Sequence, residues 1–172
     1  MIKIKVVKDR EFKSDVMLEL KKAFQEFRRQ FGVDFEISKI SEWNFGGLSL
    51  SWFLDLFPFR QRFLNMLFGH LTKNLKSKVK ANKNEIVVGF TGKIGSRHKT
   101  TFGLADGNYI LIGICKKPYS YVILHEVGHV FGADDRPDSS IMSNRTFSYN
   151  YDFSIQDRKI ITRSLARSPK ER

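Results

Sequence analysis

Residues 125–135 read HEVGHVFGADD, and the spacing inside this run decides more about the chain than any other stretch. His125 and His129 lie four apart, so on a helix they stand on one face about 5–6 Å from each other. Two imidazole nitrogens so placed can both reach a zinc ion at about 2.0–2.1 Å. Glu126, beside the first of them, is placed to accept a proton from a water on that ion. Gly132 permits the left-handed conformation through which a chain leaves a helix, and which other residues resist. The turn so made can return a carboxylate to the metal. Asp135 has the right register, Asp134 is one residue off, and Asp138 is the fallback. Downstream of His129 there is no histidine or cysteine, the one glutamate is Glu171 in the tail, and Asp152 and Asp157 complete the acidic set. Three protein ligands leave a fourth position open for water, which marks a catalytic zinc site rather than a structural one. At roughly 5% per residue type, His-Glu-x-x-His arises idly in about 2% of chains this long, and Gly and Asp in register lower that to about 0.005%. Chance is therefore a poor account of the set.

Working outward, Pro118 suits the first turn of the motif helix, which runs through Tyr121, Ile123 and Leu124. Before it, Asn108–Cys115 and Glu85–Thr91 read as buried strands, and Thr100–Ala105 as a short one. Asp106-Gly107 is a hairpin turn signal. At the start of the chain, Ile2, Ile4 and Val6 alternate with lysines as in a half-buried strand. Ser14 offers an N-cap to a helix in which Val16, Leu20, Ala23, Phe24, Phe27 and Phe31 share one side, and Gly32 closes it. Val33, Phe35 and Ile37 then alternate again, so the opening reads as a βαβ unit. After the motif, Ser154 and Asp157 can start a last helix as a capping box, with Ile160, Ile161 and Leu165 along one side.

Residues 46–79 fit this plan least. Phe59, Phe63, Met66, Leu67 and Leu71 share a helical face, and Pro58 separates a short first helix from this longer one. The stretch reads as an inserted helical hairpin packed on the domain, with a membrane- or partner-binding helix and a flap enforcing latency as rivals. Lysines gather towards its end, at Lys73, Lys76, Lys78, Lys80 and Lys83.

The chain has 172 residues, 41% hydrophobic and 28% charged, which suits one globular domain and not a disordered segment. A net charge of +12 favours acidic partners, with Lys73–Lys83 as the candidate surface, although a solvated basic exterior explains the charge equally well. A single cysteine, Cys115, excludes an internal disulfide, and a buried structural thiol is its simplest role. No run has the length of a transmembrane helix, and the lysine-spaced N-terminus lacks a signal-peptide core, so the expectation is a cytoplasmic protein.

The extended motif, followed by Met142 in SIMS seven residues after Asp135, resembles the metzincin clan of metallopeptidases, whose signature adds a methionine turn beneath the metal. The aspartate in the third position, with Met followed by Ser, looks most like snapalysin. Residues 153–165, FSIQDRKIITRSL, are similar in character to the last helix of matrixins and snapalysin. The resemblance is tight over about residues 118–166. It implies an α+β fold in which a mixed twisted sheet, a backing helix and the active-site helix lie over a small C-terminal lobe ending in a helix. The whole would be one catalytic domain, with an upper lobe at 1–132 carrying the insertion at about 46–79 and a lower lobe at 133–172. It further implies a monomeric zinc-dependent endopeptidase with one catalytic Zn2+ ion, held by His125, His129 and Asp135, with Glu126 as general base and Met142 as structural floor. Tyr149 and Tyr151 would be candidates for oxyanion support or pocket wall, and residues 144–154 would flank the specificity pocket. A peptide substrate would lie as an added strand along Thr100–Ala105. The rival from another class is a basic nucleic-acid- or membrane-associated module whose zinc site is structural or vestigial. The presence of Glu126 speaks against it, since a structural site needs no base.

Overall fold

The computed structural model describes residues 1–38, 40–44, 60–95, 103–114, 118–143 and 150–167. Their elements run β1 (Ile2–Lys8), α1 (Met17–Phe31), β2 (Phe35–Ile37), β3 (Ser41–Glu42), α2 (Arg60–Lys78), β4 (Glu85–Gly95), β5 (Gly103–Asp106), β6 (Tyr109–Ile114), α3 (Tyr119–Val130) and α4 (Ile155–Ala166). The expected α+β architecture is the one observed, with a mixed sheet, a backing helix, the motif helix and a closing helix.

The sheet has the order β2-β1-β4-β6-β5, and β3 pairs with the later part of β1 on the edge that β2 occupies. All pairings are parallel except β5 against β6. The sole antiparallel strand among them thus forms an edge. Asp106 pairs with Tyr109 across a two-residue turn in which Gly107 takes φ 59°, the turn that Asp106-Gly107 predicts. Alternation along the strands sorts side chains between two faces. Ile4, Val6, Ile86, Val88, Phe90, Ile110 and Ile112 meet α1 and α3, whereas Val7, Val87, Ile94 and Leu111 meet α2.

α1 is the backing helix. Leu20, Ala23, Phe24 and Phe27 are its buried stripe, and Gly32 ends it at φ 67°. Its start differs from expectation: Val16, not Ser14, holds the N-cap position, and the Asp15 carboxylate accepts from Met17 N–H instead. Pro118 likewise stands at the N-cap of α3, one residue before the first turn. The cap of α4 is as read, with Ser154 Oγ accepting from Asp157 N–H at 3.1 Å. The strand expected at Glu85–Thr91 continues to Gly95 after a register shift. The short strand expected at Thr100–Ala105 is described from Gly103 to Asp106.

The described part of the 46–79 stretch is α2, and Phe68, Leu71 and Leu75 pack it on the sheet. The expectations placed on Pro58, Phe59, Phe63 and Cys115 lie outside the residues, or the side chains, that the structure describes. Among the described residues no helix is long and apolar enough to cross a membrane.

Candidate metal centre

α3 carries both motif histidines one turn apart, and its C-terminus bends at Gly132, with φ 87°. Ala133 N–H bonds to Gly128 O at 3.0 Å and Gly132 N–H to His129 O at 2.9 Å, the paired bonds of a Schellman turn with glycine in its left-handed position. The turn has a second effect. It aims the carbonyl of Ala133 at His129, whose Nδ1 lies 2.8 Å away. The His125 Nδ1 is 2.8 Å from Ile141 O, on the loop beyond. Carbonyls only accept, so each ring donates from Nδ1 and presents a lone pair at Nε2.

Those lone pairs converge. The two Nε2 atoms are 3.2 Å apart, and Asp135 Oδ1 lies 3.2 Å from one and 3.5 Å from the other. Tetrahedral ligands bonded at about 2.0–2.1 Å stand about 3.3 Å from one another, so the triangle has the dimensions of a zinc site. With both rings neutral, three electron-rich atoms at this separation repel unless a cation lies among them; without a metal, a proton on His129 takes that place. The residues fit the ion. His125, His129 and Asp135 form the one cluster of potential ligands among the described residues. Of the aspartates left open, Asp135 is the one that groups with both rings. Asp138 caps the turn at Ser140, Asp152 pairs with Arg29 and Arg158, and Asp157 pairs with Arg136.

Glu126 is 5% exposed and sits beneath β5. A Cβ on Gly103 would come within 2.6 Å of its Oε1, so the bare glycine makes room for the carboxylate, while Ala105 N–H bonds to it. Burial pushes the carboxyl above the usual carboxylate range, and the two histidines and Ala105 only partly offset this. In the metal-free protein, burial alone would lower the His129 pKa. The bond to Asp135, the charge of Glu126 and the Ala133 carbonyl outweigh it and raise the value to about 9. Asp135 is held well below its ordinary range by its bonds to the two rings.

Met142 is fully buried under α3, where a Cβ on Gly128 would fall 2.5 Å from its Sδ and 2.8 Å from Phe153 Cε1. Close approach of the methionine therefore requires glycine at 128. The loop between Asp135 and Met142 is tied at both ends: Arg136 N–H bonds to Met142 O, and the Arg136 guanidinium reaches the fully buried Asp157 at 2.7 Å. The Tyr151 hydroxyl bonds to Ser120 Oγ at 3.0 Å, its ring stands edge-on to Tyr121, and Lys22 lies over it. Ser120 precedes His125 by more than a helical turn on another side of α3, so these contacts tie Tyr151 to the start of the helix. Tyr149 and residues 144–148 lie outside the described residues.

Sequence reading missed Gly103, the Arg136–Asp157 brace and Glu19, whose carboxylate accepts from Ser120 N–H at the start of α3. For the first two, the only signals were a glycine within the strand expected at Thr100–Ala105 and a basic residue directly after Asp135.

A mixed sheet with one antiparallel edge strand, lying over a helix that ends at a glycine turn, is the metzincin-like fold. It is similar to archaemetzincin from Methanopyrus kandleri, at 18% identity over 96% of each chain and a TM-score of 0.68. It is also similar to a zinc-dependent peptidase from Methanocorpusculum labreanum, at 12% identity over 92% of this chain and 99% of that one, with a TM-score of 0.52. Likeness at such identities establishes the fold. No protein-family model matches the sequence, and no curated protein matches it.

Proposed function

We propose that this chain is a zinc-dependent endopeptidase, with His125, His129 and Asp135 as ligands and Glu126 as general base. The observation that carries the reading is the convergence of two oriented Nε2 lone pairs and one carboxylate at tetrahedral spacing, next to a buried glutamate that a structural site would not need. The neighbours that share the fold, an archaemetzincin and a zinc-dependent peptidase, support it. The aspartate ligand keeps the likeness to snapalysin as the finer reading.

A bound zinc ion would supply Lewis acidity, lowering the pKa of a water towards about 7 and polarising a carbonyl. The chain does the rest. Glu126 takes the proton of the attacking water and delivers it to the departing amine, so it ends each cycle as it began. Its burial raises its proton affinity, and the Ala105 N–H holds it in place. Among the described strands β5 is an edge, and its main chain, apart from the Ala105 N–H that Glu126 takes, offers hydrogen bonds to a substrate strand. Met142 closes the floor against Gly128. The basic-module reading is less favoured, since Lys76 is engaged by Asp106 and the Tyr109 ring, and Lys78 by Asn44 O.

Zinc titration of the purified protein, with cleavage of an unstructured protein substrate, tests the proposal. One ion per chain and cleavage that disappears in Glu126→Ala are expected. Cleavage that survives that substitution, or the absence of stoichiometric zinc, sinks it.

A further inference from the structure

A cavity of about 810 Å³ opens at the C-terminal end of α3 and shares His129 with the metal centre. The β5–β6 turn, at Gly107 and Asn108, forms part of its lining, and α4 contributes Ile160 and Arg163. A peptide lying along β5 and leaving that strand at Asp106 therefore arrives at this cavity next.

Its charge is predominantly positive, with Lys83, Arg163 and Arg167 in the lining against Glu85. Lys83 and Arg163 line it, and neither makes an ion pair or hydrogen bond to any described residue. The acidic groups nearby are already satisfied. Glu85 accepts from Asn82 N–H at 2.9 Å and faces Lys5 at 3.6 Å, and Asp106 is held by Lys76 at 2.6 Å. The lining also includes the apolar Val33, Ile86 and Ile160. An apolar body with two uncommitted cations suits a carboxylate on a short hydrocarbon stem.

We propose that this cavity is a carboxylate-selecting subsite of the peptide cleft, taking a glutamate or aspartate side chain, or a chain-terminal carboxylate, of the substrate. The proposal rests on the peptidase reading and deepens it by naming a substrate class.

The test uses the zinc-loaded Glu126→Gln protein, which binds peptide without turning it over, and fluorescence anisotropy with three labelled peptides. One has blocked ends and internal glutamates, the second has glutamine in their place, and the third is the glutamine peptide with a free C-terminus. Tighter binding of the first or third than of the second, by about tenfold, is expected, and the two arms tell a side chain from a terminus. The double reversal Lys83→Glu with Arg163→Glu should bring the ratio to about one. The same charge change at exposed, remote positions, Lys13→Glu with Lys21→Glu, should leave the ratio in place. Thermal unfolding checks that both variants fold. Equal affinities in the parent protein overturn the subsite. So does discrimination that survives the first reversal, or that falls equally in the second, which would mean bulk attraction by a basic chain. Wild-type cleavage of a neutral unstructured protein is followed in parallel. Its absence, with peptide discrimination intact, removes the peptidase reading and not the subsite; its presence without discrimination does the opposite.

Discussion

The two faces of the sheet are finished differently. On one, a run of rings links the backing helix to the closing segments: Phe24 to Phe35 at 4.5 Å, Phe35 to Phe27 at 5.3 Å, and Phe27 to Phe131 and Phe153 at 5.4 and 6.0 Å. The same core continues through Leu124 and Val127 of α3 to Met142 and Ile161. On the other face, α2 lays Phe68, Leu71 and Leu75 over Val7, Trp43, Val87 and Leu111, a smaller cluster that includes no neighbour of the metal ligands. The lesson is that one face sets the geometry of the site while the other only keeps the sheet covered. Perturbations of equal size should then have unequal effects on the metal.

The sharpest contrast comes from the site itself. His129→Ala should abolish stoichiometric zinc, read by metal analysis after dialysis. Glu126→Gln should keep the zinc and lower turnover by about 10²–10⁴. Loss of the ion in both variants would merge roles that the geometry separates.

Next comes the packing under the helix. Gly128→Ala drives a methyl group into Met142 and Phe153, at a cost of about 1–3 kcal/mol. Zinc affinity, measured by chelator competition, should fall about tenfold, because the movement is transmitted to His129 one residue on. An unchanged affinity would break the link between core and metal.

A smaller effect is set by pH. His129 titrates near 9 in the metal-free fold and near its ordinary value of about 6.5 when unfolded. Its contribution to stability is therefore fully present below about pH 6.5 and is lost as pH rises through about 9. Zinc must displace that proton, so apparent affinity should rise with pH, by up to about tenfold per unit, and level off near 9. A flat affinity profile from pH 7 to 9 contradicts this.

The least effect on the site belongs to the far face. Leu71→Ala should cost about 2–5 kcal/mol in denaturant unfolding yet leave zinc affinity within about twofold. If zinc is lost as well, the two faces are one cooperative unit and the comparison fails.

What the sequence made legible was local in origin. The pairing of His125 with His129, the bend at Gly132, the stop at Gly32, the hairpin at Asp106-Gly107 and the cap at Ser154 each depend on residues within a few positions of one another. The features that escaped are long-range. Glu19 caps a helix 101 positions away, and Gly103 clears space for a carboxylate 23 positions later in the chain. Nothing in either neighbourhood announces the encounter. The tie of Tyr151 to Ser120 was equally hidden, because nearness to the methionine in sequence says nothing about which way a side chain turns. Ser14 misled because the helix begins two residues later, where the Asp15 carboxylate takes the Met17 N–H.

Both imidazoles are steadied by main-chain carbonyls of Ala133 and Ile141, so the chain itself orients each ring. That support predicts metal uptake as docking into finished architecture, unlike small zinc modules that collapse only around their ion. Stripping the ion should leave the far-ultraviolet circular dichroism almost unaltered, and reloading should be paced by the ion shedding its hydration shell.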